Sequence, residues 1–393
     1  MPTEVVILSA ARTPQGKVRG QLAALTGVEL GTVALRAALA RSGVNPDDVD
    51  AVIVGQVLQA GAGQNPARQT SIGAGLGWDV PTTTVNRVCL SGLSAIIDAA
   101  RLIRTGEAQV VVAGGQESMT NAPHLLMGSR MGWAYGTVSA LDHAAHDGLS
   151  DAFDGVSMGL STERYVASLG LSREEQDEVA ASSHTRAAAA TAAGLFDVEI
   201  ATVEIVGRKG ATTIVSTDEG VRADSTVESL GAVRPAFDPA GTITAGNSSP
   251  LSDGAAMLVL ASRDYAEAHG LTWLAILGSA AQVAGPDNSL HSQPSRAIAA
   301  ALARESREAS SLDFVEINEA FAAVAVQSTR DLGISPDLVN IHGGAIAIGH
   351  PIGASGARLV THAAHELARR GSGTAAVALC GGGGQGDALI LTL

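Results

Sequence analysis

The chain has 393 residues, 46% hydrophobic and 16% charged, which allows a large buried core and excludes a wholly disordered chain. Its 25 basic and 39 acidic residues leave a net charge of −14, which argues against general nucleic-acid binding and against attachment to anionic membranes. Two cysteines, Cys89 and Cys380, exclude a disulfide scaffold and a Cys-rich zinc site, and no apolar run is long enough for a spanning helix. Glu4-Val5-Val6-Ile7-Leu8 follows the start without the basic region of a secretory signal, so the expectation is a soluble cytoplasmic protein with free thiols.

Strand and helix signals alternate from the start. Val5–Leu8 reads as a strand, Leu30–Leu39 as a helix stopping at Gly43, Ala51–Val57 and Thr82–Val88 as strands, Leu90–Arg104 as a helix and Val110–Ala113 as a strand. This alternation predicts βαβ units around a buried sheet. Residues 121–160 carry few apolar runs and read as a long excursion of the kind used for function or assembly. A helix is expected from Ser172, where Glu175 three residues on completes a capping box, to a stop at Gly194. Strands follow at Val203–Val206 and Ile214–Ser216.

The last third repeats the first in kind: strands at Phe314–Ile317, Leu338–Ile341, Ala375–Cys380 and Ala388–Leu393, with a helix over Ser355–Arg370. The parallel between Val85-Asn86 … Gly114 and Val339-Asn340 … Gly381 predicts an internal duplication with an insert in the first copy. The expected division is 1–120 for the first half, 121–246 for the insert, 247–271 for the return to the first half and 272–393 for the second half.

Four residues stand where chemistry is possible. Cys89 lies where a strand passes into a helix, and the positive end of the helix dipole is expected to lower its pKa; the alternative is an inert buried thiol. Cys380 ends a strand ahead of Gly381-Gly382-Gly383-Gly384, a backbone bare enough to bring amide N–H groups to a reacting carbonyl. His350 sits in the glycine-rich stretch 343–353 and is held by Pro351, as suits a general base. Asn318 either caps the helix that follows or turns its amide to an oxyanion. Cys, His and Asn together indicate nucleophilic acyl chemistry, and a second thiol suits carbon–carbon bond formation better than proteolysis. His342 and His350, and His362 and His365 on an expected surface helix, give no zinc spacing, so no metal is expected.

Five blocks then carry a resemblance: Asn86-Arg87-Val88-Cys89-Leu90-Ser91-Gly92, Gly114-Gly115-Gln116-Glu117-Ser118-Met119, Asn318-Glu319-Ala320-Phe321-Ala322, Gly343 to Gly353 with His350, and Cys380 with its glycines. In this order the chain resembles the thiolases over essentially its whole length, nearest to their acetoacetyl-CoA branch. The resemblance implies an α/β thiolase fold, with duplicated βαβαβαββ halves in a five-layer αβαβα core and an inserted loop domain. It implies a ping-pong acyl transfer in which Cys89 is the nucleophile, His350 its base and Cys380 the base for the second substrate. Asn318 and His350, and the backbone of Cys89 and Gly382, would form two oxyanion sites. It further implies that coenzyme A is substrate and product, with no permanently bound cofactor. Arg222, Ser229 and Ser249 would contact CoA, and Leu149, Met158, Phe237, Ala320 and Phe321 would line the acyl pocket. A homotetramer is implied through the stretch from Leu141 to Phe153. Ser157, where some relatives have histidine, and Pro250 after Ser249 depart from the pattern. The alternatives are a degradative 3-ketoacyl-CoA thiolase of broader chain length, a β-ketoacyl synthase and a catalytically silent CoA-binding paralogue.

Overall fold

A computed structural model describes residues 3–207 and 210–393. Nine main strands build the chain: β1 Val5–Arg12, β2 Ala51–Gly55, β3 Thr82–Val85, β4 Val110–Ser118, β5 Ser252–Ser262, β6 Ala275–Ala284, β7 Phe314–Ile317, β8 Thr374–Gly381 and β9 Gln385–Thr392. The helices that pack on them are α1 Gly27–Ser42, α2 Pro66–Gly73, α3 Ser91–Arg104, α4 Met158–Val166, α5 Arg173–Ala192, α6 Gln293–Arg304, α7 Ala322–Leu332 and α8 Ser355–Arg370. With the short strand Gly16–Lys17 they form one ten-stranded sheet, ordered β7-β8-β9-β6-β1-β5-β4-β2-β3. The order reads alike from both ends: β3-β2-β4-β5-β1 in one half and β7-β8-β9-β6 in the other. Val339 takes the place of the missing edge strand through a single bridge to Val315. The halves meet where Val5–Ile7 pairs antiparallel with Ala275–Leu277.

Side-chain alternation sorts the layers. On β4, Val110 and Val112 join Leu30, Leu35 and Leu39 of α1 on the outer face, whereas Val111 and Ala113 turn to the inner face. There α3 (Leu93, Ile96, Ile103) and α8 (Leu359, Val360, Leu367) lie between the two half-sheets and touch both, with Leu379 and Leu389 on the far side. On the outside of the second half, Ile298 and Leu302 of α6 cover Val315, Ile317 and Ile390. The sequence of layers is α–β–α–β–α, as the resemblance implied.

Local signals explain most element ends. Ser172 and Glu175 form the expected capping box of α5, and Gly194 at φ 70° follows its end. Gly43 closes α1 at φ 72°. The stretch 121–157 is irregular apart from short pieces, such as the two-residue pair at 124–125 and 141–142. The hairpin in the insert pairs Val203–Val206 with Thr212–Val215.

Two expectations fail. Leu338–Ile341 is not a strand: Pro336–Leu338 forms a 3-10 turn, and Asn340 turns away at φ 48°. Its side chain replaces the missing ladder, accepting from Ile317 N at 2.8 Å and donating to Ile317 O at 2.9 Å. And α8 is no surface helix: His362 is buried and His365 half-buried, because α8 runs through the central layer. No helix among the described residues is long and apolar enough to cross a membrane.

Candidate active site

Cys89 sits on a tight turn between β3 and α3. Val88 holds a left-handed φ of 52°, rare for a β-branched residue. The turn is fixed by Ser91, whose Oγ accepts from Arg87 N at 2.9 Å and donates to Val88 O at 2.6 Å. Gly55 at the end of β2 lets the turn approach, since a Cβ there would lie 2.5 Å from the Ser91 backbone. Arg87 then clamps the turn to the other half of the molecule, donating to both oxygens of buried Asp387 at 2.7 and 3.0 Å and to Gln385 at 3.1 Å on β9. The hairpin it grips carries Cys380 at the end of β8. Gly384 turns that hairpin at φ 66°, where a Cβ would meet Asp287 O at 1.8 Å.

His350 is held from both sides. Its backbone N–H donates to Ser252 Oγ at 3.1 Å, and Ser252 Oγ donates to the Pro250 carbonyl at 2.8 Å. Pro250 therefore contributes through its carbonyl, and its lack of an N–H costs no bond there. The ring's Nδ1 lies 2.5 Å from Ser355 Oγ, which donates its single proton to Pro351 O at 3.0 Å. Ser355 Oγ thus accepts from Nδ1–H, leaving Nε2 unprotonated. Asn318 Nδ2 stands 3.5 Å from both ring nitrogens, so it faces the ring without a directed hydrogen bond. Below it, Glu319 accepts from Ser183 at 2.7 Å, Asn340 at 2.8 Å and Ile346 N at 3.0 Å, tying the 318–319 turn to α5 and to the glycine-rich stretch.

Glu117, wholly buried at the end of β4, accepts three backbone N–H groups: Val57 at 2.9 Å, Leu58 at 3.1 Å and Gly353 at 3.0 Å. It fixes the loop after β2 to the loop after His350. Burial pushes its pKa up to about 7 despite those donors.

Cys89, Cys380, His350 and Gly382 line one cavity of about 570 Å³. Leu149, Met158, Phe237, Ser249, Ala320 and Phe321 line it as well, with Ser157 and Pro250 at its wall. Phe237 and Phe321 meet edge to face at 6.1 Å, and Gly159 makes room, since a Cβ there would sit 2.3 Å from the Phe237 ring. Ser157 caps α4 by accepting from Leu160 N at 3.3 Å, so the serine serves the helix that presents Met158. Arg222 and Ser229 are not among the lining residues; both are exposed, and Arg222 lies against His184, with its guanidinium 2.9 Å from Nε2. Among the described residues no group of three or more His, Cys, Asp or Glu is arranged to hold a metal ion.

The expected lowering of the Cys89 pKa does not occur. Burial pushes it up to about 12, although the backbone amides of Cys89 itself and of Gly382 pull the other way. The helix begins two residues later and carries no side-chain cap, so desolvation outweighs the dipole. Cys380 is raised well above the thiol range by burial and then by the neighbouring Cys89. His350 is pushed down to about 3 by burial, with Arg358 adding to the effect, and is a neutral imidazole. The cavity thus holds two protonated thiols and one free base. Ser355, Glu117 and Arg87 escaped the sequence reading; Ser355 lies five residues past His350 on the next helix turn, which is the one signal that could have marked it.

The chain is similar to known proteins over its whole length. The thiolase N-terminal domain matches residues 5–264 and the thiolase C-terminal domain residues 271–393, so the chain belongs to the thiolase family. It is 55% identical over 389 residues to a probable acetyl-CoA acetyltransferase of Mycobacterium leprae, covering 99% of each chain. It is 48% identical over 389 residues to the acetyl-CoA acetyltransferase of Cupriavidus necator, again covering 99% of each. The crystal structure of the Bacillus anthracis acetyl-CoA acetyltransferase matches with a TM-score of 0.97 at 38% identity, over 100% of this chain and 99% of that one.

Proposed function

We propose that the chain is an acetyl-CoA C-acetyltransferase, an acyltransferase that condenses two acetyl-CoA to acetoacetyl-CoA and CoA, reversibly. The observation that carries this reading is the convergence of Cys89, His350, Cys380 and Gly382 on one apolar cavity, in a chain alike over its full length to proteins bearing that name. His350 Nε2 takes the Cys89 proton as the sulfur attacks the acetyl carbonyl; the bond to CoA breaks and the proton passes to the departing CoA sulfur. A second acetyl-CoA enters, His350 Nε2 takes the proton of Cys380, and the Cys380 thiolate removes a proton from the methyl carbon of the second acetyl-CoA. The carbanion attacks acetyl-Cys89, a carbon–carbon bond forms, and Cys89 leaves as a thiolate that recovers the proton held on His350.

The N–H groups of Cys89 and Gly382 are suited to the oxyanion on the acetyl-Cys89 carbonyl, since both residues line the cavity and both backbones act to lower the Cys89 pKa. Asn318, through a water, and His350 take the oxyanion of the other thioester. Ser249 meets the pantetheine, while Arg222 and Ser229 meet the nucleotide end of CoA outside the cavity; the exposure of both suits a polar, solvent-facing ligand. The assembly is read as a homotetramer formed through the stretch from Leu141 to Phe153, where Phe153 is exposed, as are Met127, Met131, Trp133 and Tyr135 just before it. Two free thiols suit the cytoplasm.

The test is thiolysis of acetoacetyl-CoA, followed by loss of enolate absorbance, with 3-ketohexadecanoyl-CoA in parallel. Fast C4 cleavage with little C16 cleavage is expected. Comparable C16 cleavage would move the protein to the broad-range thiolases, and no cleavage of either would make it a silent paralogue. Cys380→Ala should still accept acetyl on Cys89, seen by intact mass, yet fail to condense.

A further inference from the structure

A polar seam runs through the central layer. Ser355, Arg358, His362 and Glu366 recur every three or four residues along α8 and share one face of it, and all four are buried. Facing them, alternation puts Phe314, Glu316 and Asn318 on one side of β7, whose ladder Asn318 N extends by donating to Ala378 O at 3.0 Å. The Arg370 guanidinium lies 4.7 Å over the Phe314 ring, Arg358 Nη1 lies 3.8 Å from Glu316 Oε2, and Asn318 faces His350, which Ser355 holds. Helix and strand therefore run antiparallel, with the Glu316–Arg358 pair next in line behind Asn318.

That pair is incomplete as it stands. A separation of 3.8 Å is too long for a hydrogen bond. Both oxygens of Glu316, both terminal nitrogens of Arg358 and Oδ1 of Asn318 are buried without a protein partner. Charged groups so deeply placed are stable only when hydrogen-bonded. Burial pushes the Glu316 pKa up to about 7; in its ionised form the donor count matches a bridging water, with N–H groups to give on Arg358 and acceptors on Glu316 and Asn318 Oδ1. A water that accepts from Arg358 can donate one proton to Glu316 and the other to Asn318 Oδ1.

We propose that Glu316 and Arg358 hold buried water against Asn318 Oδ1 and so fix which way the Asn318 amide faces, with Nδ2 toward His350 at the wall of the substrate cavity. Both are positioning residues that act through Asn318. With either removed, the amide can reverse and present an oxygen where a donor is required. The inference rests on the reading of Asn318 as an oxyanion donor.

The test is a double-mutant cycle in the full-length enzyme, read as kcat for acetoacetyl-CoA thiolysis. Asn318→Ala removes the donor and should lower kcat on the order of 100-fold. Arg358→Met should lower kcat at least about tenfold with KM within about twofold, and Arg358→Lys, which keeps a cationic donor, should recover most of the loss. In the Asn318→Ala background, Arg358→Met should cost less than about twofold, because its effect is already spent. Equal losses in both backgrounds, or unchanged kcat in Arg358→Met, would overturn the proposal. If Arg358→Met does not fold, a crystal structure of the unaltered protein at about 1.2 Å decides. Water within about 3.2 Å of Glu316, Arg358 and Asn318 Oδ1 supports the seam, and a direct Glu316–Arg358 contact with Oδ1 turned to the cavity refutes it. If the unaltered protein shows no thiolysis, the assigned reaction falls, and the crystal structure alone judges the seam.

Discussion

Ser355→Ala tests how the base is held. Ser355 Oγ has one proton, committed to Pro351 O at 3.0 Å, so its 2.5 Å contact with His350 Nδ1 is made as acceptor. No other group near the ring selects a tautomer, because Asn318 Nδ2 is 3.5 Å from both nitrogens. Losing a buried hydrogen bond of this kind costs about 1–3 kcal/mol. At 1.36 kcal/mol per tenfold in rate, a tautomer shift of that size lowers kcat by roughly 5- to 150-fold. KM should stay within about twofold, since the alanine touches no substrate. The assay is acetoacetyl-CoA thiolysis, with acetylation of Cys89 by acetyl-CoA followed by intact mass; acetylation should slow in proportion to kcat. A melting curve close to that of the unaltered protein separates positioning from unfolding. A kcat within twofold of the parent would show that the hydroxyl does not choose the tautomer.

Three further outcomes follow from the charges. Cys89 lies up at about 12 and His350 down at about 3, so His350 stays neutral from pH 5 to 9 and the thiolate fraction grows with pH. Alkylation of Cys89 by iodoacetamide should rise about tenfold per pH unit over pH 7–9; a plateau below pH 8 would show a preformed thiolate–imidazolium pair. Glu117 has a folded pKa near 7 against a usual value of 4.5, so the folded state holds its proton more tightly, and stability is lost as pH rises from about 4.5 to 7. Glu117→Gln should remove that slope in urea unfolding, yet lower stability at pH 5 by about 1–3 kcal/mol because an NH2 replaces one acceptor; an unchanged slope would place the proton elsewhere. Arg12 is fully buried, bonded to Glu199 at 2.6 Å and to Asp218 at 2.8 and 3.0 Å. Arg12→Met leaves buried Asp218 without its cation and Glu199 with His362 alone, and should cost about 3–5 kcal/mol in urea unfolding; a loss under 1 kcal/mol would mean that the cluster is dispensable.

What the sequence made legible was periodic or punctuated. Alternation and apolar runs marked the strands on both sides of the central layer, and the Ser172–Glu175 box and Gly43 marked helix ends. The failures share one cause: groups whose partners are remote in the chain. Leu338–Ile341 has strand composition, but Asn340 pairs by its side chain with Ile317 and ends the ladder. Cys89 has the position of an activated thiol, but the depth of the cavity, set by elements from both halves, decides its pKa. His362 looks like a polar residue of a surface helix because its partner, Glu199, comes from the insert at 3.0 Å. About half of the cavity lining was named in advance from the resemblance, and Asn318, Arg222 and Ser229 were named but lie off it, whereas Ser355, Glu316 and Arg358 needed the strand and helix to be laid side by side.

The pairing that joins the two half-sheets also sets the order in which the chain becomes safe. Val5 is bridged to Ser262 on one side and to Leu277 on the other. The partners of β1 are thus made roughly 250 residues after it, which at about 5–20 residues per second is more than about ten seconds of synthesis. Through that interval Val5-Val6-Ile7-Leu8 has neither neighbouring strand, and for most of it Arg12 lacks both of its carboxylates. A short apolar strand with two open edges is an aggregation hazard. A strand made well before its partners is thus among the last to find its place, and slower growth at low temperature or chaperone supply should govern how much of the protein reaches the folded state.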